Sequence, residues 1–253
     1  MDFKTITAIK LVILLIALAV VSVRLFKKHS SGNSLKISNI ILVALGVFAV
    51  LTHIKFNPTP SPHHTDLFHY YIGSKYFAEL DYTRLYACTA IAESESNNPS
   101  IRANANTLHI TDLNAGSTNN NIPAIEHISN PAYCKSHFSD LRWISFKNDV
   151  SYFHSIADEA EWKNALLDHG FNASPVWTLT GGFISNLAPI SELTLTEIVL
   201  IDIVLLLGCV ACLCWAFGMP VAAFSVIIGT AVSEADWSWI GGSLLRLVFN
   251  CIS

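Results

Sequence analysis

The chain has 253 residues, of which 52% are apolar and only 13% charged, with a formal net charge of −4. A soluble protein typically carries about 25% charged residues, so this composition argues against an ordinary soluble fold for the whole chain. Residues 55–195 hold 14 acids against 8 bases, which offers no argument for polyanion binding and makes nucleic acid an unexpected partner.

Four apolar runs follow one another in chain order. Thr5 to Phe26 is interrupted by Lys10 and Arg24, and Ile37 to Ile54 carries no charge. Thr196 to Gly218 has Glu197 and Asp202 near its start, and Met219 to Val232 is uncharged. A helix crosses a bilayer core with about 20 apolar residues and a lower limit of about 17. The first three runs meet that length, whereas the fourth does so only by borrowing Phe217 or Ser233. Buried helices of soluble domains usually keep a polar face, which these runs lack. In the first run the basic cluster follows the apolar segment instead of preceding it, which favours an uncleaved helix over a signal peptide.

Arg24, Lys27, Lys28 and Lys36 crowd the link between the first two runs. Short basic links stay in the cytoplasm. That places the N-terminus and residues 55–195 outside, although Lys4 and Lys10 pull the other way. The turn Glu234-Ala235-Asp236 is then also outside, and Gly218-Met219-Pro220 is a tight cytoplasmic connection.

The outer segment opens on Asn57-Pro58-Thr59-Pro60-Ser61-Pro62, which breaks helix and stiffens the chain. Next comes His63-His64-Thr65-Asp66-Leu67-Phe68-His69-Tyr70-Tyr71. Asp66 is placed to cap a helix over Leu67–Leu80. Phe68, Tyr71, Ile72, Tyr76 and Leu80 recur on one side of that helix, and Lys75 and Glu79 share another. The pattern predicts an amphipathic helix suited to the membrane interface or to packing on membrane helices.

Glu93 to Ser100 and Asn114 to Asn121 read as polar surface loops. A second helix is expected from Asp149 to about His169, with Gly170 in the left-handed position at its end. Ser174 should cap a third helix with Pro175 in its first turn. Pro189 should end that helix, and Thr194 or Thr196 should open the third membrane helix.

Cys209, Cys212 and Cys214 lie in an apolar run, where packing is the commoner role than metal ligation. Cys88 and Cys134 are the outer-segment pair, in a compartment that permits oxidation. They are read either as a disulfide or as two buried thiols. His64, Asp66 and His69 are zinc-ligand types, but their spacing departs from the i, i+4 arrangement of helical zinc motifs. No metal site is therefore assigned.

The string from Asp66 through Tyr70-Tyr71-Ile72-Gly73-Ser74-Lys75-Tyr76-Phe77 to Leu80 follows a membrane helix and opens a large outer loop. It resembles the first-loop region of the GT-C superfamily of multi-pass membrane glycosyltransferases, in particular its large bacterial members. Weaker matches are Arg142-Trp143 with Phe146-Lys147-Asn148-Asp149, Asn172-Ala173-Ser174-Pro175-Val176-Trp177, and Trp239-Ile240-Gly241-Gly242. The resemblance covers roughly residues 37–253.

The resemblance implies that Asp66 is the catalytic carboxylate, taking a proton from an acceptor hydroxyl as it attacks the donor sugar. It implies a polyprenyl-phosphate sugar donor held in the lipid, with His64, His69, Tyr70, Tyr71 and Lys75 as substrate or phosphate contacts. A divalent cation could contribute, and no other cofactor is implied. Such enzymes generally have eight or more membrane helices. The fifth apolar segment here, near Trp239 and containing Arg246, is short. The chain therefore reads as the front part of a longer protein, inactive alone and completed by a C-terminal half or a partner membrane protein.

The expected fold is an all-α integral membrane protein of the bacterial inner membrane. It has two transmembrane helices in 1–54, a mainly helical extracytoplasmic domain in 55–195, and two further transmembrane helices with an incomplete fifth in 196–253. The competing reading is a non-enzymatic envelope protein whose outer domain binds a partner or assists assembly. A transporter is less favoured, because Glu197, Asp202 and Arg246 are the only charges within or at the ends of the later apolar segments.

Overall fold

A computed structural model describes residues 3–26, 32–52, 63–114 and 121–232. The proline run 57–62, Lys27 and Lys28, the segment near Trp239, Arg246, Glu234, Asp236, Cys251 and the side chain of Asp202 lie outside the described residues.

The chain order is α1 (Phe3–Phe26), α2 (Gly32–Leu51), α3 (His64–Leu67), a π-helical turn (Phe68–Ile72), α4 (Gly73–Lys75), α5 (Phe77–Leu80), α6 (Leu85–Ser94) and α7 (Pro99–Ala105). Then come β1 (His109–Thr111), β2 (Asn121–Pro123), α8 (Ile125–Ile128), α9 (Ala132–Lys135), α10 (Asp140–Ile156), α11 (Glu159–Ala165), α12 (Pro175–Ser185), α13 (Glu192–Phe217) and α14 (Met219–Val232). The fold is mostly helical. Among the described residues, three helices are long and apolar enough to cross a membrane: Lys4–Phe26, Asn33–Leu51 and Glu192–Phe217. The described part of α14 has 14 residues, about 21 Å at 1.5 Å per residue.

The chain divides into two compact units whose sequence boundary falls inside α13, between residues 202 and 203. In the first, α1, α2 and α14 pack around Ile13, Ala17, Leu42, Ala49 and Ile227. Small residues set the spacing, since a Cβ added at Gly46 would stand 3.5 Å from Ala223 Cβ. Arg24 donates to Asn39 Oδ1 at 2.7 Å between α1 and α2. Leu11, Leu15, Ile40 and Phe48 are exposed outside that core, as lipid-facing side chains would be. The α13–α14 turn is made at Gly218, φ +84°, with Pro220 in the next first turn.

The second unit, 63–202, is a helical domain with one small antiparallel hairpin. Its β1 and β2 pair His109 with Pro123 and Thr111 with Asn121. Cys88 of α6 and Cys134 of α9 form a disulfide, with Cα atoms 5.5 Å apart. At the centre lies the segment His64–Lys75, and here the structure corrects the expected amphipathic helix. Leu67, Phe68, His69, Tyr70, Tyr71, Ile72, Gly73 and Ser74 are all buried. Helices α6, α10, α11 and α12 surround it, leaving no broad aqueous or lipid face. Phe68 packs edge-on to Phe153 and Trp162, and Tyr76 edge-on to Phe146. The π-helical turn interrupts the 3.6-residue period, so an apolar stripe read at that period misassigns its faces.

Other boundaries shift for local reasons. The expected helix from Asp149 to His169 is two helices. Asp149 lies inside α10, and the chain is extended at Ala157 before Asp158 caps α11 by accepting from Glu161 N–H at 2.7 Å. Gly170 is left-handed, φ +71°, but lies beyond the end of α11. Ser174 does cap α12, accepting from Trp177 N–H, with Pro175 in the first turn. That helix ends at Ser185, ahead of Pro189. The third apolar helix opens at Glu192, where Ser191 Oγ accepts from Thr194 N–H at 3.1 Å.

Candidate functional site

His63, not Asp66, caps the central helix: its ring Nδ1 stands 3.3 Å from Asp66 N. This corrects the capping role expected of Asp66, which sits in the first helical turn. The same Nδ1 is 3.2 Å from Asp66 Oδ2. One ring nitrogen cannot accept and donate at once. With Nδ1 bare, His63 caps the Asp66 N–H; with a hydrogen on Nδ1, it donates to the carboxylate instead. The Asp66 side chain is 13% exposed. Beside it, Thr65 donates to Glu161 Oε1 at 3.2 Å. The adjoining cleft, lined by His64, Phe68, Phe153 and Trp162, has a volume of about 10 Å³, room for about one water. Burial lowers the pKa of His64, against the opposing pull of Glu161.

The rest of the motif turns inward. His69 is 2% exposed. Its Nε2 lies 3.0 Å from Ala165 O and 2.9 Å from Tyr86 Oη, while Tyr86 Oη also accepts from Gly170 N–H at 2.7 Å. A carbonyl only accepts, so Nε2 carries the proton toward Ala165. Burial lowers the His69 pKa, more than the Ala165 carbonyl and the Asp168 charge raise it. The ring is neutral near pH 7. Tyr70 donates to Asn172 Oδ1 at 2.8 Å and Tyr71 to Ser185 O at 3.1 Å. Lys75 Nζ meets Asp149 Oδ2 at 2.7 Å and Tyr71 Oη at 3.2 Å. Lys75 lies nine residues after Asp66, about 13 Å along the axis at helical rise. Lys75 therefore stands apart from Asp66, whereas His69 lies near enough for the Asp66 charge to act on its ring.

Two charged networks that the sequence did not single out as sites hold this interior. In the first, Tyr76 donates to Asp149 Oδ2 at 2.8 Å, and Arg142 stacks 4.2 Å over the Tyr76 ring. Arg142 also pairs with Glu79 at 2.7 Å, donates to the Lys75 carbonyl and reaches Asn186 Oδ1 at 3.0 Å. Lys75 and Glu79, four residues apart, do not pair with each other; each reaches α10 instead. Burial and the Asp149 carboxylate both push the Tyr71 and Tyr76 hydroxyls up in pKa, keeping them neutral donors.

The second network is on α6. Glu93, 3% exposed, accepts from Trp162 Nε1 at 2.9 Å and pairs with His154. Glu95 gathers Trp143 Nε1 at 2.9 Å, Lys135 at 2.9 Å and Lys147 at 3.3 Å. Burial pushes the Glu95 carboxyl up, but those donors outweigh it and hold it below its ordinary value. Thus the segment expected as a polar loop supplies two structural carboxylates. Trp143, Lys147 and Asp149, noticed as weak motif matches, belong to these networks.

Among the described residues, no group of three or more His, Cys, Asp or Glu side chains is placed to hold a metal ion. A more open groove, about 270 Å³, lies between the end of α12 and the start of α13, lined by Ile184, Leu187, Ala188, Thr194, Glu197 and Ile201. The chain matches no family model, no curated protein and no solved structure.

Proposed function

We propose that this is a multi-pass membrane protein whose disulfide-bonded helical domain, 63–202, works outside the cytoplasm as a binding or assembly module. The supporting observation is how fully the acidic-aromatic motif is engaged in the interior. His69, Tyr70, Tyr71 and Lys75 all bond to groups distant in sequence and position α10, α11 and α12. Side chains locked this way specify a fold, and a donor phosphate would have to displace those bonds. The Cys88–Cys134 bridge supports an oxidising compartment, which agrees with the basic link carrying Arg24 and Lys36.

A second reading keeps the bacterial glycosyltransferase with a polyprenyl-phosphate donor. It is favoured by one observation: the Asp66 carboxylate stays partly open at a helix start, 3.2 Å from His63. In that reading Asp66 is the general base, His64 is the nearer phosphate contact, and a C-terminal half or partner membrane protein completes a topology of four or more spans.

Of two measurements on the full chain, the first tests the outward placement that both readings share and the second separates them. Single cysteines at Ser34 and Asn104, in a background whose other cysteines are removed or bridged, are exposed to an impermeant thiol reagent in intact cells. Asn104→Cys should label and Ser34→Cys should not; the reverse sinks the outward placement. Photo-crosslinking residues on the exposed surface of 63–202 should then give discrete adducts in cells. Sugar transfer from a polyprenyl-phosphate donor that is lost in Asp66→Asn would instead establish the enzyme.

A further inference from the structure

Helix α12 distributes its residues in an order that a water-facing helix would not. The face turned into the domain carries Trp177, Gly181 and Ser185, all buried. That face fits by being small. A Cβ added at Gly182 would stand 2.9 Å from the Ser74 carbonyl oxygen. Trp177 Nε1 donates to Tyr70 O at 3.1 Å, and Ser185 O accepts from Tyr71. The opposite face carries Leu179 and Phe183, which are 77% and 68% exposed, and Leu187, 67% exposed, follows in the turn just past the helix end. Leu179 and Phe183, four apart, share one stripe, with Val176 one turn before.

Scattered exposed leucines are ordinary, but a contiguous stripe on one helix needs a cover. The surroundings say which cover. From Phe171 to Ser191 the sequence has no Asp, Glu, Lys or Arg. The helix ends at Ser185, and the membrane-length helix α13 begins at Glu192, a few residues on. The groove lined by Leu187, Ala188, Ile198 and Ile201, with Thr194 and Glu197 also on its wall, continues the largely apolar surface from the end of α12 onto the first turns of α13. A chain that leaves α12 and enters the bilayer so soon keeps α12 near the leaflet.

We propose that the Leu179–Phe183 face of α12, with Leu187 in the turn that follows it, lies in the membrane–water interface, with acyl chains of that leaflet as its occupant and an acyl chain in the adjoining groove. An uncharged apolar stripe beside a transmembrane helix suits the boundary between headgroups and acyl chains. The interfacial role expected of the 67–80 segment thus passes to α12. Helix α12 would then be a contact of the domain with the bilayer. The proposal holds for either functional reading, because it depends only on α13 being a membrane span.

The test uses the full chain in nanodiscs of mixed phosphatidylethanolamine and phosphatidylglycerol, with the unbridged cysteines replaced by alanine. Nitroxides are placed through Leu179→Cys, Phe183→Cys and Leu187→Cys, with Asn104→Cys and Ser136→Cys as water-exposed references. Collision rates with oxygen and with a water-soluble nickel chelate are compared. Oxygen should dominate at the three apolar sites and nickel at the references. Nickel dominance at the apolar sites places the stripe in water and overturns the proposal. Low rates with both reagents show a protein cover, a second copy or another partner, and overturn it equally. An intact Cys88–Cys134 bridge in each variant verifies the fold.

Discussion

Lys75 Nζ stands 2.7 Å from Asp149 Oδ2 with both side chains less than 10% exposed, and the same carboxylate oxygen accepts from Tyr76 at 2.8 Å. The ammonium also lies 5.1 Å from the Tyr71 ring centroid. One carboxylate therefore ties the central helix to α10 while two aromatic rings exclude water. Breaking a buried pair by removing one partner leaves an uncompensated charge and costs about 3–5 kcal/mol, more than the pair itself contributes. Asp149→Asn and Lys75→Met should each destabilise the domain on that scale. The double variant should cost less than the sum. Urea unfolding of the full chain in detergent micelles, followed by tryptophan fluorescence, measures all three. Strict additivity would show that the two side chains act independently.

His69 gives the domain an acid sensitivity whose sign is fixed by burial. Its folded pKa is lowered from the ordinary 6.5. As pH falls below about 6.5 the unfolded chain takes up a proton that the folded chain refuses. Stability is thus full above that pH and declines below it until the folded pKa is reached. His64, also lowered, adds to the same decline. Glu95, held below its ordinary 4.5, acts in a lower window, where stability is lost as pH drops beneath about 4.5. His69→Gln keeps a donor for Ala165 O but cannot titrate. The fall in melting temperature between pH 7.5 and 5.5 should shrink in this variant without vanishing. An unchanged fall would remove His69 from the account.

Membrane character was legible because long uncharged runs need no tertiary information. The Ser174–Pro175 start of α12 was legible for the same reason, since cap and ring act within one turn. What stayed hidden depends on partners far along the chain. Lys75 and Glu79 read as two residues four apart on one side of a helix, yet Asp149 and Arg142 lie 74 and 63 residues later in sequence and engage them separately. Asp66 was credited with a cap that belongs three residues earlier, because a histidine ring nitrogen is a rarer acceptor there than a carboxylate. The π-helical turn left no periodic signal, and the polar composition around Glu93 and Glu95 concealed how closely Trp143 and Trp162 would approach them. For the candidate site, only the position of Asp66 near a helix start could be read; the inward engagement of its neighbours could not.

The disulfide offers a joint test of compartment and stability. Cys88 and Cys134 are separated by 46 residues, and closing a loop of that length stabilises by about 4 kcal/mol in the chain-entropy account. Cys134→Ser, with Cys88→Ser to avoid a stray thiol, should lower the urea midpoint of the helical domain accordingly. In cells, alkylation with a mass-tagged maleimide before and after reduction should shift the protein at these two positions only after reduction. Labelling of both without reductant would put the domain in a reducing compartment.

Among the described glycines of the helical domain, Gly73 meets the tightest approach. A Cβ built there would fall 2.3 Å from Phe171 Cδ2 and 2.6 Å from Phe171 Cβ. Phe171 cannot yield easily, because it is buried and stacks on Tyr82 with ring centroids 5.6 Å apart, while Tyr70 and Phe77 press on it from other sides. Gly73→Ala would ordinarily strengthen a helix by up to about 1 kcal/mol. Here the overlap should dominate, and forced shifts of this kind cost about 1–3 kcal/mol. The expected result is a net loss of stability, with the gain in helix propensity offsetting only part of it. Gly208→Ala, where nothing lies within 4 Å of the added carbon, should be close to neutral and serves as the control. The double variant Gly73→Ala with Phe171→Leu should recover part of the loss, since removing ring atoms opens the space the methyl needs. Thermal unfolding of the four proteins in the same micelles measures the ordering. A Gly73→Ala protein as stable as the parent would mean that α4 and the Phe171 segment are not held as closely as their positions indicate.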